Sequence, residues 1–239
     1  MKKQIVLISA ALISGWVVFS SCNNAGGAVK LQEPVAMSSE NSNNGKVNSV
    51  ISSADPREKT TEDLLAAFKG ETTASAKYAA YSKKAEQEGY HQIALLFKAA
   101  STAEKIHATN HQSVLEDAGT KVAPVTPEFT VKSTKENLQD AIKGETYEAT
   151  TMYPEFLKDA ESAGNQLALI SLNYAFKTEK KHRVMYENAL AALDKNAVKS
   201  LSVVYYVCAT CGNTYDAAPP QRCGICMTGA EKFIKITSL

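Results

Sequence analysis

Lys69-Gly70-Glu71-Thr72 returns as Lys143-Gly144-Glu145-Thr146, and each copy is followed by a Glu-x-x-His: Glu104–His107 first, then Glu179–His182. The two glutamates of a copy lie 104 − 71 = 33 residues apart in the first case and 179 − 145 = 34 in the second. Subtracting 74 places Gly144 and Glu145 on Gly70 and Glu71; subtracting 75 places Gly164, Glu179 and His182 on Gly89, Glu104 and His107. One residue is therefore inserted between these sets, and Pro154 marks where the third helix should be disturbed. Two spaced motifs recurring in one order argue for a repeated unit over coincidence.

Around these motifs apolar residues recur at helical spacing. A polar start at Thr61-Glu62-Asp63 opens a first helix carrying Leu64, Leu65, Phe68, Tyr78 and Tyr81, which stops at Gly89. The second runs from His91 to Asp117 before Gly119, the third from Thr134 to Ala163 before Gly164, and the fourth from Gln166 to Leu193. Residues 120–133, with Pro124 and Pro127, link the halves and are long enough for a crossing connection. The expectation is a mainly α chain with a four-helix bundle over residues 55–195. Gly70 and Gly144 cost helix propensity, so close helix–helix packing is expected there.

A single Glu-x-x-His means little, since its two side chains share a helix face that usually looks at water. Here each pair has a companion Glu on the preceding helix and apolar neighbours: Ala99, Ala100, Ala103 and Ile106 for the first, Tyr174, Ala175 and Phe176 for the second. Carboxylates in that setting cost on the order of several kcal/mol each unless paired or metal-bound. Glu71, Glu104, His107, Glu145, Glu179 and His182 therefore read as ligands of a metal pair, the arrangement already familiar from di-iron and di-manganese carboxylate bundles. Glu148 shares the face of Glu145 and is a seventh candidate. Its counterpart (148 − 74) is Ala74, so it breaks the repeat, and it reads equally as a solvated glutamate on the same stripe. Such a ligand set suits iron or manganese; zinc fits but brings no redox chemistry.

Cys208-Ala209-Thr210-Cys211 and Cys223-Gly224-Ile225-Cys226 are two C-x-x-C turns with eleven residues between them. Together they offer four thiolates to one iron or one zinc, and spacing does not choose between these. Two disulfides are the alternative in an exported protein, disfavoured by the knuckle pattern beside turn glycines. Tyr205, Tyr206, Tyr215 and Phe233 give residues 203–239 a minimal core that depends on the metal.

Residues 1–22 read as an export signal: Lys2 and Lys3, an apolar stretch Ile5–Phe19, then Ser20-Ser21-Cys22. The last three residues suit a bacterial lipobox with Cys22 lipidated; cleavage near Ser21 and an uncleaved anchor are the alternatives. Residues 23–54, rich in Ser, Asn and Gly, read as a flexible linker. The expected location is the periplasm or cell envelope, with membrane contact only through this end. A formal net charge of +1 leaves no electrostatic footprint for nucleic acid.

Over residues 55–239 the chain resembles the rubrerythrin family, a ferritin-like di-iron bundle followed by a rubredoxin-like domain with one iron on four cysteines. The most specific stretch is Gly144-Glu145-Thr146-Tyr147-Glu148 through Met152-Tyr153-Pro154. The resemblance implies that all seven bundle residues above are iron ligands. It implies that Tyr78 and Tyr153 stand just behind them, although core packing accounts for the tyrosines equally well. The implied activity is a peroxidase of oxidative-stress defence, reducing hydrogen peroxide to water. Two electrons come from the di-iron site and are restored singly through Cys208, Cys211, Cys223 and Cys226. His107 exchanges with Glu148 as an iron ligand when the oxidation state changes, which makes these two, with Tyr78 and Tyr153, the catalytic candidates. A head-to-tail homodimer and an external electron donor, which the sequence does not name, are also implied. Cys-Gly-Ile-Cys lacks the proline common in the family's second knuckle, so zinc remains open there. The competing classes are a ferroxidase or iron-storage protein, a pure electron carrier, and a zinc-knuckle module without redox activity.

Overall fold

The computed structural model describes residues 55–239; the export signal, Cys22 and the whole of the linker expected before them lie outside this range. Among the described residues no helix is long and apolar enough to cross a membrane. Helix α1 (Pro56–Gln87) starts on Asp55, whose carboxylate accepts from the Arg57 N–H at 3.0 Å, with Pro56 in its first turn. It begins five residues before the expected start at Thr61, because Asp-Pro supplies both the cap and a preset φ. Helix α2 (His91–Asp117) folds back after Gly89, whose φ of +83° closes the turn.

Helix α3 (Thr134–Tyr147) begins beside the end of α1, where Glu88 accepts from the Thr134 N–H at 2.9 Å. The last turn of α2 lies at the opposite end: 27 residues at about 1.5 Å each place it about 40 Å away. Residues 120–133 must cover that distance, and fourteen extended residues reach about 46–50 Å. They run almost straight along α1, from Val122 packed in the cluster of Leu64 to Thr130, whose carbonyl accepts from Tyr81 at 3.2 Å. This is the crossing connection, and it sets α3 parallel to α2.

The third long helix is interrupted. After α3 comes a π-helical turn, Glu148–Met152, and then α4 (Tyr153–Ser162) with Pro154 in its first turn. The wider turn absorbs one extra residue, so the insertion expected near Pro154 sits immediately before it. Downstream the phase is restored, and Tyr153 falls on Tyr78 (153 − 75). Helix α5 (Gln166–Asp194) follows, capped by Asn165, whose side chain accepts from the Ala168 N–H at 3.0 Å. Close packing does not explain the two glycines: a Cβ on Gly70 would meet nothing within 4 Å, and one on Gly144 would touch only the Tyr78 hydroxyl at 3.8 Å.

The bundle core is divided along its axis. One apolar cluster holds Tyr78, Phe97, Leu138 and Tyr186; the other holds Leu64, Leu115, Tyr153 and Leu172. Between them, on every long helix, lies the buried layer of Glu71, Glu104, His107, Glu145, Glu179 and His182. The tail is a small antiparallel sheet of β1 (Tyr205–Cys208), β2 (Thr214–Tyr215) and β3 (Phe233–Ile236), in the order β2-β1-β3. Tyr215 stacks on Phe233 at 5.6 Å, whereas Tyr205 joins the bundle cluster. The fold is thus mainly α: a ferritin-like four-helix bundle with a small knuckle domain behind it.

Candidate metal centres

The polar layer resolves into two four-residue groups, Glu71, Glu104, His107 and Glu179, and Glu104, Glu145, Glu179 and His182, each with its ligand atoms within 4.8 Å of one another. Glu104 and Glu179 belong to both. Glu104 sets Oε2 2.9 Å from His107 Nδ1 and Oε1 3.1 Å from His182 Nδ1. Glu179 sets Oε1 2.8 Å from His107 Nδ1 and Oε2 2.9 Å from His182 Nδ1. Glu71 stands on the His107 side alone and Glu145 on the His182 side alone. The geometry is that of two shared carboxylates, two terminal ones and one imidazole per position.

These atoms converge without satisfying one another. Glu71 Oε2, Glu104 Oε1, Glu145 Oε2, both oxygens of Glu179 and His182 Nδ1 are buried with no hydrogen-bond partner, although several lie about 3 Å apart. Lone pairs aimed at common points rather than at donors are what cations need. Charge agrees: four carboxylates carry four negative charges, which two divalent ions cancel.

Without cations the layer must hold protons instead. Burial, then repulsion from Glu104 and Glu179, pushes Glu71 well above the ordinary carboxylate range. Glu145 is raised the same way, by burial and then Glu179 and Glu104. Burial works against charge on the imidazoles, but Glu179 and Glu104 overcome it, raising His107 strongly and His182 to about 9. Metal binding therefore displaces protons from this layer.

Glu148 opens the π-helical turn, half-buried and outside both four-residue groups. Burial and the charges of Glu179 and Glu104 raise its pKa well above the usual range, so it feels the centre without being in it. Tyr78 donates to Glu145 Oε1 at 2.8 Å, and Tyr153 donates to Glu71 Oε1. The two tyrosines are related by the repeat, and each fixes the terminal carboxylate of the opposite half.

In the tail, Cys208, Cys211, Cys223 and Cys226 gather their sulfurs within 4.8 Å. The Cys208–Cys226 and Cys211–Cys223 separations are both 3.5 Å. A disulfide needs about 2.05 Å, whereas the edge of a tetrahedron with bonds of about 2.3 Å is about 3.8 Å. The thiols are free and arranged for one metal ion.

The knuckle lies directly on the bundle of its own chain. His107 Nε2–H donates to the Cys211 carbonyl at 3.1 Å, and His182 Nε2–H donates to Thr214 Oγ1 at 2.9 Å. The Thr214 hydroxyl is itself committed to the Gly212 carbonyl at 3.1 Å, so it accepts from His182. Both imidazoles therefore turn Nδ1 inward, with the tail fixing their tautomer as an outer hydrogen-bond partner does. Asn110 bonds the Thr210 carbonyl at 2.9 Å, and Lys181 reaches Asn213 and Thr214 at 2.6 Å each while lying over the Tyr215 ring. None of Asn110, Lys181, Gly212, Asn213 or Thr214 stands out in the sequence; a positive-φ glycine beside a metal cysteine is the one available hint. His111 also goes unmarked by its sequence, four residues after His107 on an otherwise apolar face.

A helical bundle with a doubled carboxylate–histidine site and a four-cysteine knuckle defines a di-iron protein with a rubredoxin-like tail. The family model for rubrerythrin matches residues 62–190. Rubrerythrin-2 of Clostridium acetobutylicum is 33% identical over 175 residues, covering 73% of this chain and 95% of that one. Nigerythrin of Nitratidesulfovibrio vulgaris is 33% identical over 175 residues, 73% of this chain and 85% of its own. A structure of nigerythrin described as fully reduced and all ferrous superposes with a TM-score of 0.68 at 32% identity, covering 80% of this chain and 92% of that one. The chain belongs to the rubrerythrin family. Its residues fit that family's di-iron centre: Glu71, Glu104, His107 and Glu179 would hold one ion, and Glu104, Glu145, Glu179 and His182 the other.

Proposed function

We propose that this protein is a peroxidase of oxidative-stress defence that reduces hydrogen peroxide to water (H2O2 + 2 H⁺ + 2 e⁻ → 2 H2O). Ferrous ions held in the layer supply the two electrons. The observation that carries the reading is the single hydrogen bond between His107 and the Cys211 carbonyl, which joins a ligand residue of one centre to a ligand residue of the other. A storage protein has no use for that contact, and a pure electron carrier has no use for the carboxylate layer. Electrons enter through the four cysteines, and the donor is an external reductant.

In this reading the chain does three jobs. The two apolar clusters exclude water from the layer, Tyr78 and Tyr153 hold Glu145 and Glu71 in place, and the tail holds both imidazoles inward. Glu148 supplies the remaining need. Four carboxylates neutralise two divalent ions but not two trivalent ones, and Glu148 is the nearby carboxylate still outside the cluster. A hard anion is the ligand that ferric iron prefers, which supports its exchange with His107. Glu148→Ala should still load iron and still oxidise ferrous iron with oxygen, while peroxide turnover falls about 10- to 100-fold, the usual loss on removing such a supporting group. Unchanged peroxide turnover in that variant would remove Glu148 from the mechanism, whereas a wild-type protein that oxidises ferrous iron with oxygen but does not turn over peroxide would belong to the ferroxidase class.

Two further readings belong with this one. The basic and apolar run before Cys22 supports an exported, lipid-anchored protein of the cell envelope. A head-to-tail homodimer, which by the family resemblance would bring one chain's four-cysteine centre near the other chain's di-iron site, is proposed with an altered task, since that approach is already made within one chain. Sedimentation of the active protein decides this: a fully active monomer removes the dimer from the mechanism, whereas activity confined to a dimer places the tail contact between copies.

A further inference from the structure

His111 is fully buried in the apolar cluster of Leu115 and Leu172, yet both its nitrogens are engaged. Nδ1 lies 2.8 Å from Ser171 Oγ on α5, and Nε2 lies 3.2 Å from the Tyr153 hydroxyl. Tyr153 in turn donates to Glu71 Oε1. A carboxylate bound to metal can only accept, and this fixes the direction of every bond behind it. The Tyr153 proton points to Glu71, so its oxygen accepts from His111 Nε2–H. His111 Nδ1 then accepts, and Ser171 donates. Three hydrogen bonds thus run head to tail from Ser171, on α5 with 4% of its surface exposed, to a ligand of the metal centre.

The repeat provides an internal comparison. In the other half, Tyr78 holds Glu145 as Tyr153 holds Glu71. The position of His111 is taken there by Tyr186 (186 − 75 = 111), whose buried hydroxyl has no partner. The position of Ser171 is taken by Leu96 (171 − 75 = 96). The ligand-holding tyrosine is thus present twice, but the chain behind it only once. A purely supporting role for the tyrosine does not require that chain, since Tyr78 manages without it.

We propose that Ser171, His111 and Tyr153 form a proton path from the narrow exposed edge of Ser171 on α5 to the Glu71 edge of the metal centre. The proposal rests on the peroxidase reading, whose reaction takes up two protons in a layer closed to water. In one passage the Tyr153 proton moves to Glu71 Oε1 and on to the peroxide oxygen. The His111 Nε2 proton then replaces it, the Ser171 proton moves to His111 Nδ1, and solvent reprotonates Ser171. The net result is one proton inward, and two passages complete the two waters. Hydroxyl rotation and imidazole tautomer exchange reset the chain. Burial, then the charge of His107, holds His111 down to about 3, so it keeps one N–H and one lone pair, as a relay requires. His111 acts through Tyr153 and is a positioning and relay residue, not a ligand.

The test has two readouts on the full chain. The first is ¹⁵N NMR of the histidines in the zinc-loaded protein, where no redox chemistry occurs: His111 should be the Nε2–H tautomer, and an Nδ1–H tautomer overturns the path. The second is peroxide reduction by iron-loaded His111→Gln. Its amide can still donate to Tyr153 and accept from Ser171, but it cannot pass a proton. The rate should fall about tenfold or more, with an enlarged solvent deuterium isotope effect. A rate and isotope effect equal to wild type overturn the path. Should His111→Gln fold poorly, Ser171→Ala breaks the chain at its outer end with the same expectation. If the wild-type protein does not reduce peroxide at all, the peroxidase reading has failed, and the direction of the chain is judged on the tautomer alone.

Discussion

Glu179→Gln is expected to strip both ions from the bundle at once, lowering metal content from about three ions per chain to about one, with the knuckle ion remaining. Glu179 is fully buried, and neither of its oxygens has a hydrogen-bond partner, although each lies within 2.9 Å of an imidazole nitrogen. Among the described residues no group satisfies it, so cations must. Glutamine has almost the same shape and keeps the helix packed, but its amide nitrogen cannot ligate and its charge is gone. Because the residue belongs to both four-residue groups, its loss is not confined to one position. Glu145→Gln makes the contrast, since it should weaken only the ion on the His182 side. Metal analysis and circular dichroism of the two variants check both statements. Two bundle ions retained by Glu179→Gln would show that the carboxylate is not shared.

Gly212→Ala should uncouple two centres that remain loaded. Gly212 has a φ of +75°, and a Cβ there would lie 2.3 Å from His107 Nε2 and 3.2 Å from the Ala103 carbonyl. A side chain at that φ costs about 1–3 kcal/mol, a strain carried within the knuckle whether docked or not. The overlap with His107 is different, because moving the tail away relieves it. The imidazole cannot yield, being held at Nδ1 by the centre and at Nε2 by Cys211. Every ~1.4 kcal/mol that undocking relieves lowers the ratio of docked to undocked tail about tenfold. The variant should therefore keep its iron and its visible knuckle absorption, with reoxidation of that absorption by peroxide slowed severalfold or more. Stopped-flow mixing of the reduced protein with stoichiometric peroxide measures it. A wild-type rate with both centres full would mean that electrons do not pass by this contact.

The six residues of the buried carboxylate–histidine layer and the bundle are legible because metal binding imposes spacing. Glu and His three apart on one helix, with a companion Glu on the helix before, leave a pattern that survives in the sequence, and the repeat doubles it. The cysteine knuckles are legible for the same reason. The place of the insertion was only bracketed, because one extra residue can be absorbed in any turn between Glu145 and Tyr153; packing chose Glu148–Met152. The start of α1 was read at Thr61 because polar residues there resemble a cap, whereas Asp55-Pro56 has the stronger claim. Gly70 was read as a packing glycine, but its surroundings are open. The tail contact left no periodic trace, since Gly212 and His107 are far apart in the chain and meet only through tertiary folding. His111 was hidden differently: its face reads as apolar core, and its use appears only when Ser171 and Tyr153 arrive from other helices.

Tyr153 ends on Glu71, and Glu71 shares an ion position with His107, the residue that touches Cys211. On the proposed peroxidase reading, an ion held there would stand at the meeting point of an inlet for electrons and an inlet for protons. Adding an electron alone to a buried, water-poor layer leaves a charge uncompensated, at a cost on the order of several kcal/mol. Delivering both to one ion would let each addition be electrically neutral, so recharging the bundle would not alter the charge it holds. The ion between Glu145 and His182 has neither the Cys211 contact nor the proton chain. On that reading two positions built from nearly the same residues would do unequal work, one as the port and the other as the reservoir behind it.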